Sequence, residues 1–206
     1  MTHYFNEGVK EILASLALAT SPTVASTQTQ HPTLIKPAEM SLADIESKYK
    51  SDKQGLRPLS TEEATLLREL TKGGLTTTAA IGVIANLRVE SNLNPVARQL
   101  RNGPGRGLAQ WEKGGRFDTD RINLVKFAKK KEKPWTDFET QIEFIVHELD
   151  KHPEYMKVKQ ELNKAKTVKD ATMIFLKKYE KAGIAHADRR LAYAKELKDK
   201  LKLDIK

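Results

Sequence analysis

The sequence predicts a mainly α domain with one glycine-rich loop or short β-hairpin, preceded by a flexible N-terminal segment. Three observations carry this reading. Apolar residues recur at helical spacing through most of the chain beyond residue 60. Gly103, Gly105, Gly107, Gly114 and Gly115 crowd into 96–117 and break that spacing once. Residues 21–58 are rich in Ser, Thr, Gln and Pro and hold too few apolar side chains to fill a core.

Element by element, residues 12–20 (Ile-Leu-Ala-Ser-Leu-Ala-Leu-Ala-Thr) have the length of a signal core and run into small residues, Ser21 to Ser26. Glu7 and Glu11, however, cancel Lys10 where a secretory signal carries net positive charge. Residues 1–25 therefore read either as a signal or as an N-terminal helix that is processed, and 26–59 as a linker with one short helix around Leu42–Tyr49. The folded domain spans 60–206. Ser60 and Glu63 open its first helix as a reciprocal capping box, Leu66, Leu67 and Leu70 supply the buried face, and Gly73-Gly74 ends it with a left-handed cap. A second helix, about Thr76 to Ser91, places Ala80, Ile84 and Leu87 on one stripe with Val83, Asn86 and Glu90 beside it. Further helices are expected over Asp118–Lys131, Thr136–Asp150 with Thr136 and Glu139 as a second capping box, Pro153–Lys164, Thr167–Ala182 and Ala187–Leu203.

The formal charge of +9 is confined to the folded part, because residues 1–59 carry six basic and six acidic side chains. A basic domain meets polyanions quickly, which admits the bacterial wall, anionic lipid and nucleic acid alike. No apolar run approaches the roughly 20 residues of a membrane-spanning helix, so stable membrane insertion is not expected. The absence of cysteine removes disulfide scaffolds, thiolate metal sites and cysteine hydrolases.

Several patterns that mimic sites are set aside. His147-Glu148 and His152 stand five residues apart, which turns the two imidazoles about 140° from each other, so surface histidines are expected and no metal site. Gly103-Pro-Gly-Arg-Gly lacks a preceding strand and a following helix N-terminus, against a nucleotide site. No Gly-x-Ser-x-Gly elbow occurs. Lys126, Lys129, Lys130, Lys131 and Lys133 read as a solvated helix face, with Phe127 and Trp135 as core or rim, so a nucleic-acid partner is not expected.

Glu90 carries the chemistry. A glycosidic bond breaks when a carboxylic acid that is still protonated donates to the leaving oxygen. Burial beside Val83, Leu87 and Leu93 and the negative end of the helix dipole would both favour that proton. The alternative is a Glu90 paired with Arg88 or a later arginine.

The run Gly82-Val-Ile-Ala-Asn86-Leu-Arg-Val-Glu90-Ser91-Asn-Leu-Asn94-Pro95, followed by Gly107-Leu108-Ala109-Gln110-Trp111, resembles the tail-associated lysozymes of bacteriophages. That family belongs to the lysozyme-like fold, which includes goose-type lysozymes and soluble lytic transglycosylases. Pro134-Trp135-Thr-Asp-Phe-Glu139-Thr140-Gln141-Ile142-Glu-Phe144 and Phe175-Leu-Lys-Lys-Tyr179-Glu180-Lys-Ala-Gly183 continue the likeness in order. The resemblance implies a peptidoglycan-degrading glycosidase with Glu90 as general acid, Gln110 and Trp111 lining the saccharide groove, and Tyr179 near the acid. It implies no cofactor. Trp111 and Tyr179 read equally well as core aromatics.

The expected partners are the glycan strands of peptidoglycan and, through residues 1–59, phage structural proteins. The expected location is the phage virion acting at the wall, or the periplasm by export. No spacing identifies a second carboxylate. Glu112, Asp118 and Asp120 follow the glycine-rich loop, with capping by Asp118 or surface exposure as their other reading. If none of them serves, Glu90 alone would act as acid and then base, as in a lytic transglycosylase. A wall- or nucleic-acid-binding virion protein that cuts nothing is the remaining alternative.

Overall fold

The computed structural model of the protein describes residues 58–182 and 186–201. The expected leader, the linker up to residue 57 with its short helix, and the end of the last expected helix lie outside them. The described chain is mainly helical, as its pattern of apolar residues predicts, with one small antiparallel hairpin.

Helix α1 (Thr61–Lys72) starts at the expected capping box: Ser60 Oγ accepts from the Glu63 amide at 3.2 Å, and Glu63 Oε2 accepts from the Ser60 amide at 2.9 Å. Its stop differs in detail from the expected one. Gly73 has an ordinary φ of −72°, and Gly74 takes the left-handed conformation at +87°. Gly73 is needed for space instead, since a Cβ there would stand 2.6 Å from a Val146 methyl.

Helix α2 (Thr77–Ser91) is capped by Thr76 and ended by a left-handed Asn92. Its expected single stripe understates its position, because residues from Ala79 through Leu87 are all buried. A helix apolar around its whole circumference belongs in the centre of a domain. It is packed there by α1, by α6 (Val168–Phe175) and by α7 (Ala187–Lys200). Gly82 allows the α6 crossing, since a Cβ on it would lie 2.6 Å from the Thr172 nitrogen and 2.7 Å from the Ala171 carbonyl carbon. Gly82→Ala would gain helix propensity, but backbone atoms cannot yield as a side chain does. Urea denaturation should show a net loss of about 1–3 kcal/mol.

After Asn92 the chain makes the expected hairpin, β1 (Gly105–Arg106) against β2 (Trp111–Glu112), with Arg106 opposite Trp111. The buried amide of Gln141 moors this excursion. Its oxygen accepts from the Leu108 amide at 2.8 Å, and its nitrogen donates to the carbonyls of Pro95 and Trp135 at 2.7 and 2.8 Å.

Two helix starts depart from expectation. Helix α3 (Leu124–Lys130) begins six residues after Asp118, capped by Asn123. Asp118 instead accepts from the Gly114 amide and closes a turn, the competition with helix that short polar side chains offer. Helix α4 (Phe138–Lys151) is capped by Asp137, whose Oδ2 accepts from both the amide and the hydroxyl of Thr140, so the Thr136–Glu139 box does not form. Helix α5 (Pro153–Lys164) has its proline in the first turn, where the missing N–H costs nothing. The expected helix over 167–182 is α6, capped by Thr167, continued by a π-turn over Leu176–Glu180 that closes at a left-handed Lys181. Such turns admit an extra residue and re-aim the side chains that follow.

Candidate active site

Glu90 is the penultimate residue of α2, and its side chain is 18% exposed. Val83, Leu87 and Leu93 are all buried. The structure adds a cation: Glu90 Oε1 accepts from the guanidinium of Arg190, a buried residue of α7. The pairing with a later arginine and the partly dry setting thus occur together. Arg190 is oriented in turn by Asn86, one helical turn before Glu90, whose Oδ1 and backbone carbonyl accept from Nη1 at 2.9 and 3.2 Å. The Asn86 amide nitrogen donates to the carbonyls of Gly82 and Thr172 at 2.7 and 3.0 Å. One asparagine therefore ties α2, α6 and α7 together behind the carboxyl.

A second charged cluster centres on Glu148 of α4, which is fully buried. It accepts from Arg116 Nε at 2.7 Å and Nη2 at 2.9 Å, from the Trp111 indole at 3.0 Å and from the Tyr179 hydroxyl at 2.5 Å. The Arg116 guanidinium lies over the rings of Tyr155 and Tyr179, 4.7 and 4.3 Å from their centroids, and donates to the Tyr179 carbonyl. Burial opposes the charge of Arg116, but Tyr179 and Glu148 outweigh it and hold the group protonated. Burial first, and then the Glu148 charge, push the Tyr179 phenol well up, so it remains a donor.

Of the two readings of the aromatics, the structure places both in the core. Trp111 is 1% exposed and Tyr179 0%, with their polar atoms committed to Glu148. Neither turns a free ring face outward for a sugar. Gln110 is half-buried in the hairpin turn at a left-handed φ of 50°, and its amide donates back to Gly107. Glu112 and Asp120 are exposed, and Asp118 is engaged by Gly114 and Thr119.

The sequence reading missed Arg116, Glu148, Glu180 and Arg190. Glu148 stood inside the His147–His152 pattern that was set aside as surface. His147 is in fact half-buried against Phe127 and Phe144, and His152 against Tyr155. Among the described residues no group of three or more His, Asp or Glu is placed to hold a metal. A signal was present all the same: Glu148 shares a helix face with Phe144, Ile145 and Leu149, and Arg190 shares one with Ala194 and Leu197. A charge on an apolar stripe needs a buried partner.

Glu180 ends the π-turn. Its Oε1 is sealed from solvent and has no hydrogen-bond partner among the described residues. Burial foremost, then the charge of Glu90, push this carboxyl well above the ordinary glutamate range, against the opposing pull of Arg116 and Arg190.

A cleft of about 620 Å³ adjoins the end of α2, between Ser60–Glu62, Arg88, Asn92–Pro95 and Phe138. Glu90, Gln110, Trp111 and Tyr179 are not among its lining residues. The cleft is bounded in part by the loop that follows α2. No helix among the described residues is long and apolar enough to cross a membrane. The model of a family described as phage tail lysozyme matches residues 61–201, a span that contains both charged clusters.

Proposed function

The chain belongs to the phage tail lysozyme family, and from that premise we propose that it is a muramidase that cuts the glycan strands of peptidoglycan with Glu90 as general acid. Lysozyme-type degradation of peptidoglycan comes with the family. The observation that supports the role of Glu90 is its mounting: a partly exposed carboxyl at the end of a buried helix, held in one orientation by Arg190 and Asn86. Such a group can reach a glycosidic oxygen at the surface while its backbone stays rigid. The proton goes to the leaving oxygen, the C–O pair follows it, and Glu90 is left as the base for the attacking oxygen.

Gln110, at the tip of a moored hairpin, offers its amide to sugar hydroxyls. Trp111 and Tyr179 hold the hairpin and the π-turn to α4 through Glu148. The engagement of Asp118 in its own turn and the exposure of Glu112 and Asp120 favour a second reading, in which Glu90 acts alone and the sugar's own 6-hydroxyl attacks, as in a lytic transglycosylase. We further read the chain as virion-borne, with residues 1–59 as its tether to phage structural proteins.

Digestion of purified sacculi with the full chain, read by mass spectrometry, tests this. New reducing muramoyl ends are expected for the muramidase and anhydro-muramoyl ends for the transglycosylase. Binding without new ends of either kind would leave only an adhesive protein.

A further inference from the structure

The stretch between Leu93 and β1 carries two of the three large apolar side chains that stand exposed among the described residues: Leu100 at 87% and Val96 at 52%. A lone exposed leucine is ordinary, but this one sits on backbone that holds it out. The Gln99 amide donates to the Gly105 carbonyl at 3.0 Å and the Gly107 amide to the Ala97 carbonyl at 2.9 Å, with Arg98 and Arg106 as antiparallel backbone partners. At the tip the Gly103 amide donates to the Leu100 carbonyl at 3.1 Å, and Arg101 and Asn102 between them are both left-handed, at φ of 55° and 57°. Two positive φ values are the pattern of a type I′ turn, which asparagine and glycine normally fill. An arginine there is strained, and strain persists only where the surroundings over-determine the backbone. The Arg106 guanidinium does so by donating to the Gly103 and Gly105 carbonyls, both at 2.7 Å, and the Gln99 side chain by accepting from the Gly105 amide at 3.1 Å.

The charge around this tip is one-sided. Arg98 and Arg101 are exposed, and neither pairs with an acidic side chain among the described residues. Between residues 91 and 117 the sequence holds one acid, Glu112, with Lys113 beside it.

We propose that this turn is a peripheral docking surface for an anionic phospholipid bilayer, with Leu100 entering the headgroup region and Arg98 and Arg101 pairing with lipid phosphates. The chemistry selects that partner. A soluble polyanion draws on the arginines and leaves Leu100 in water, whereas a charged bilayer surface takes the leucine and its flanking cations together. One leucine and two arginines make the contact weak and reversible. It goes beyond glycan cleavage and does not depend on the role of Glu90.

Flotation of the full chain with vesicles tests it. Equimolar phosphatidylglycerol and phosphatidylcholine should carry the protein, and phosphatidylcholine alone should not. Leu100→Asp should weaken that binding roughly tenfold or more, and Arg98→Gln with Arg101→Gln should weaken it by about as much. Leu100→Trp keeps an apolar tip, so it should bind as wild type and add an emission that shifts to the blue on the anionic vesicles. These residues are exposed, so circular dichroism should be unchanged in every variant.

No binding to anionic vesicles at low salt would overturn the proposal. Full binding by Leu100→Asp, or an unshifted emission from Leu100→Trp, would overturn it too, since either leaves only charge attraction. The exposed lysines of α3 give the comparison. Lys129→Gln with Lys130→Gln should weaken binding less than the arginine pair does, and equal losses would mean net charge in place of a site. Soluble polyphosphate is the remaining arm: binding to it that is tighter than to vesicles and indifferent to Leu100→Asp would make the turn a polyanion site and remove the lipid. None of these readouts requires glycan, so they stand or fall apart from the muramidase.

Discussion

Glu90→Gln should slow glycan cleavage by roughly 10²–10⁴-fold, the usual worth of a positioned acid, while circular dichroism stays that of the wild type. The amide has the same shape, and its oxygen can still accept from Arg190, so the helix end keeps its geometry. What it cannot do is release a proton to a leaving alkoxide. The variant thus separates chemistry from folding: sacculi should still be bound, and new saccharide ends should appear only at the residual rate. Activity within a few-fold of wild type would remove Glu90 from the reaction. Glu90→Asp keeps the acid but withdraws it by one methylene, so it should fall between the two.

The second large effect concerns stability. Glu148→Leu should cost about 3–5 kcal/mol, because it strands the Arg116 guanidinium in the core and leaves the Trp111 and Tyr179 donors without an acceptor. For a domain of this size that should lower the melting temperature by roughly 10 °C. Adding Arg116→Met should recover part of the loss, since a buried ion pair replaced on both sides by apolar groups is often neutral. Urea denaturation of the two single variants and the double variant measures the coupling directly. A loss below about 1 kcal/mol for Glu148→Leu would mean that water replaces its contacts.

What could be read from the sequence was local. The Ser60–Glu63 box, the extent of α2, the glycine hairpin and the start of α5 each depend on residues within a few positions of one another, and each appears in the structure. The misplaced starts of α3 and α4 arose among neighbouring candidates of equal chemistry. Thr136 and Asp137 can both cap, and the choice fell to Asp137 because Thr140 offers it both an amide and a hydroxyl. Glu90 was singled out through its motif. Its partner was not, because Arg190 is 100 residues away and no periodicity joins them. The same holds for Arg116 and Glu148, 32 residues apart. Trp111 and Tyr179 were ambiguous for a related reason: an aromatic beside a motif looks alike whether it faces a ligand or a buried carboxylate.

The counter-ion of Glu90 arrives on the last described helix. A nascent or truncated polypeptide ending before residue 187 would carry Glu90, the hairpin and the Glu148 hub but lack Arg190, the side chain that orients Glu90. On the proposed role of Glu90, catalytic competence is therefore a late event in synthesis, set by the docking of α7.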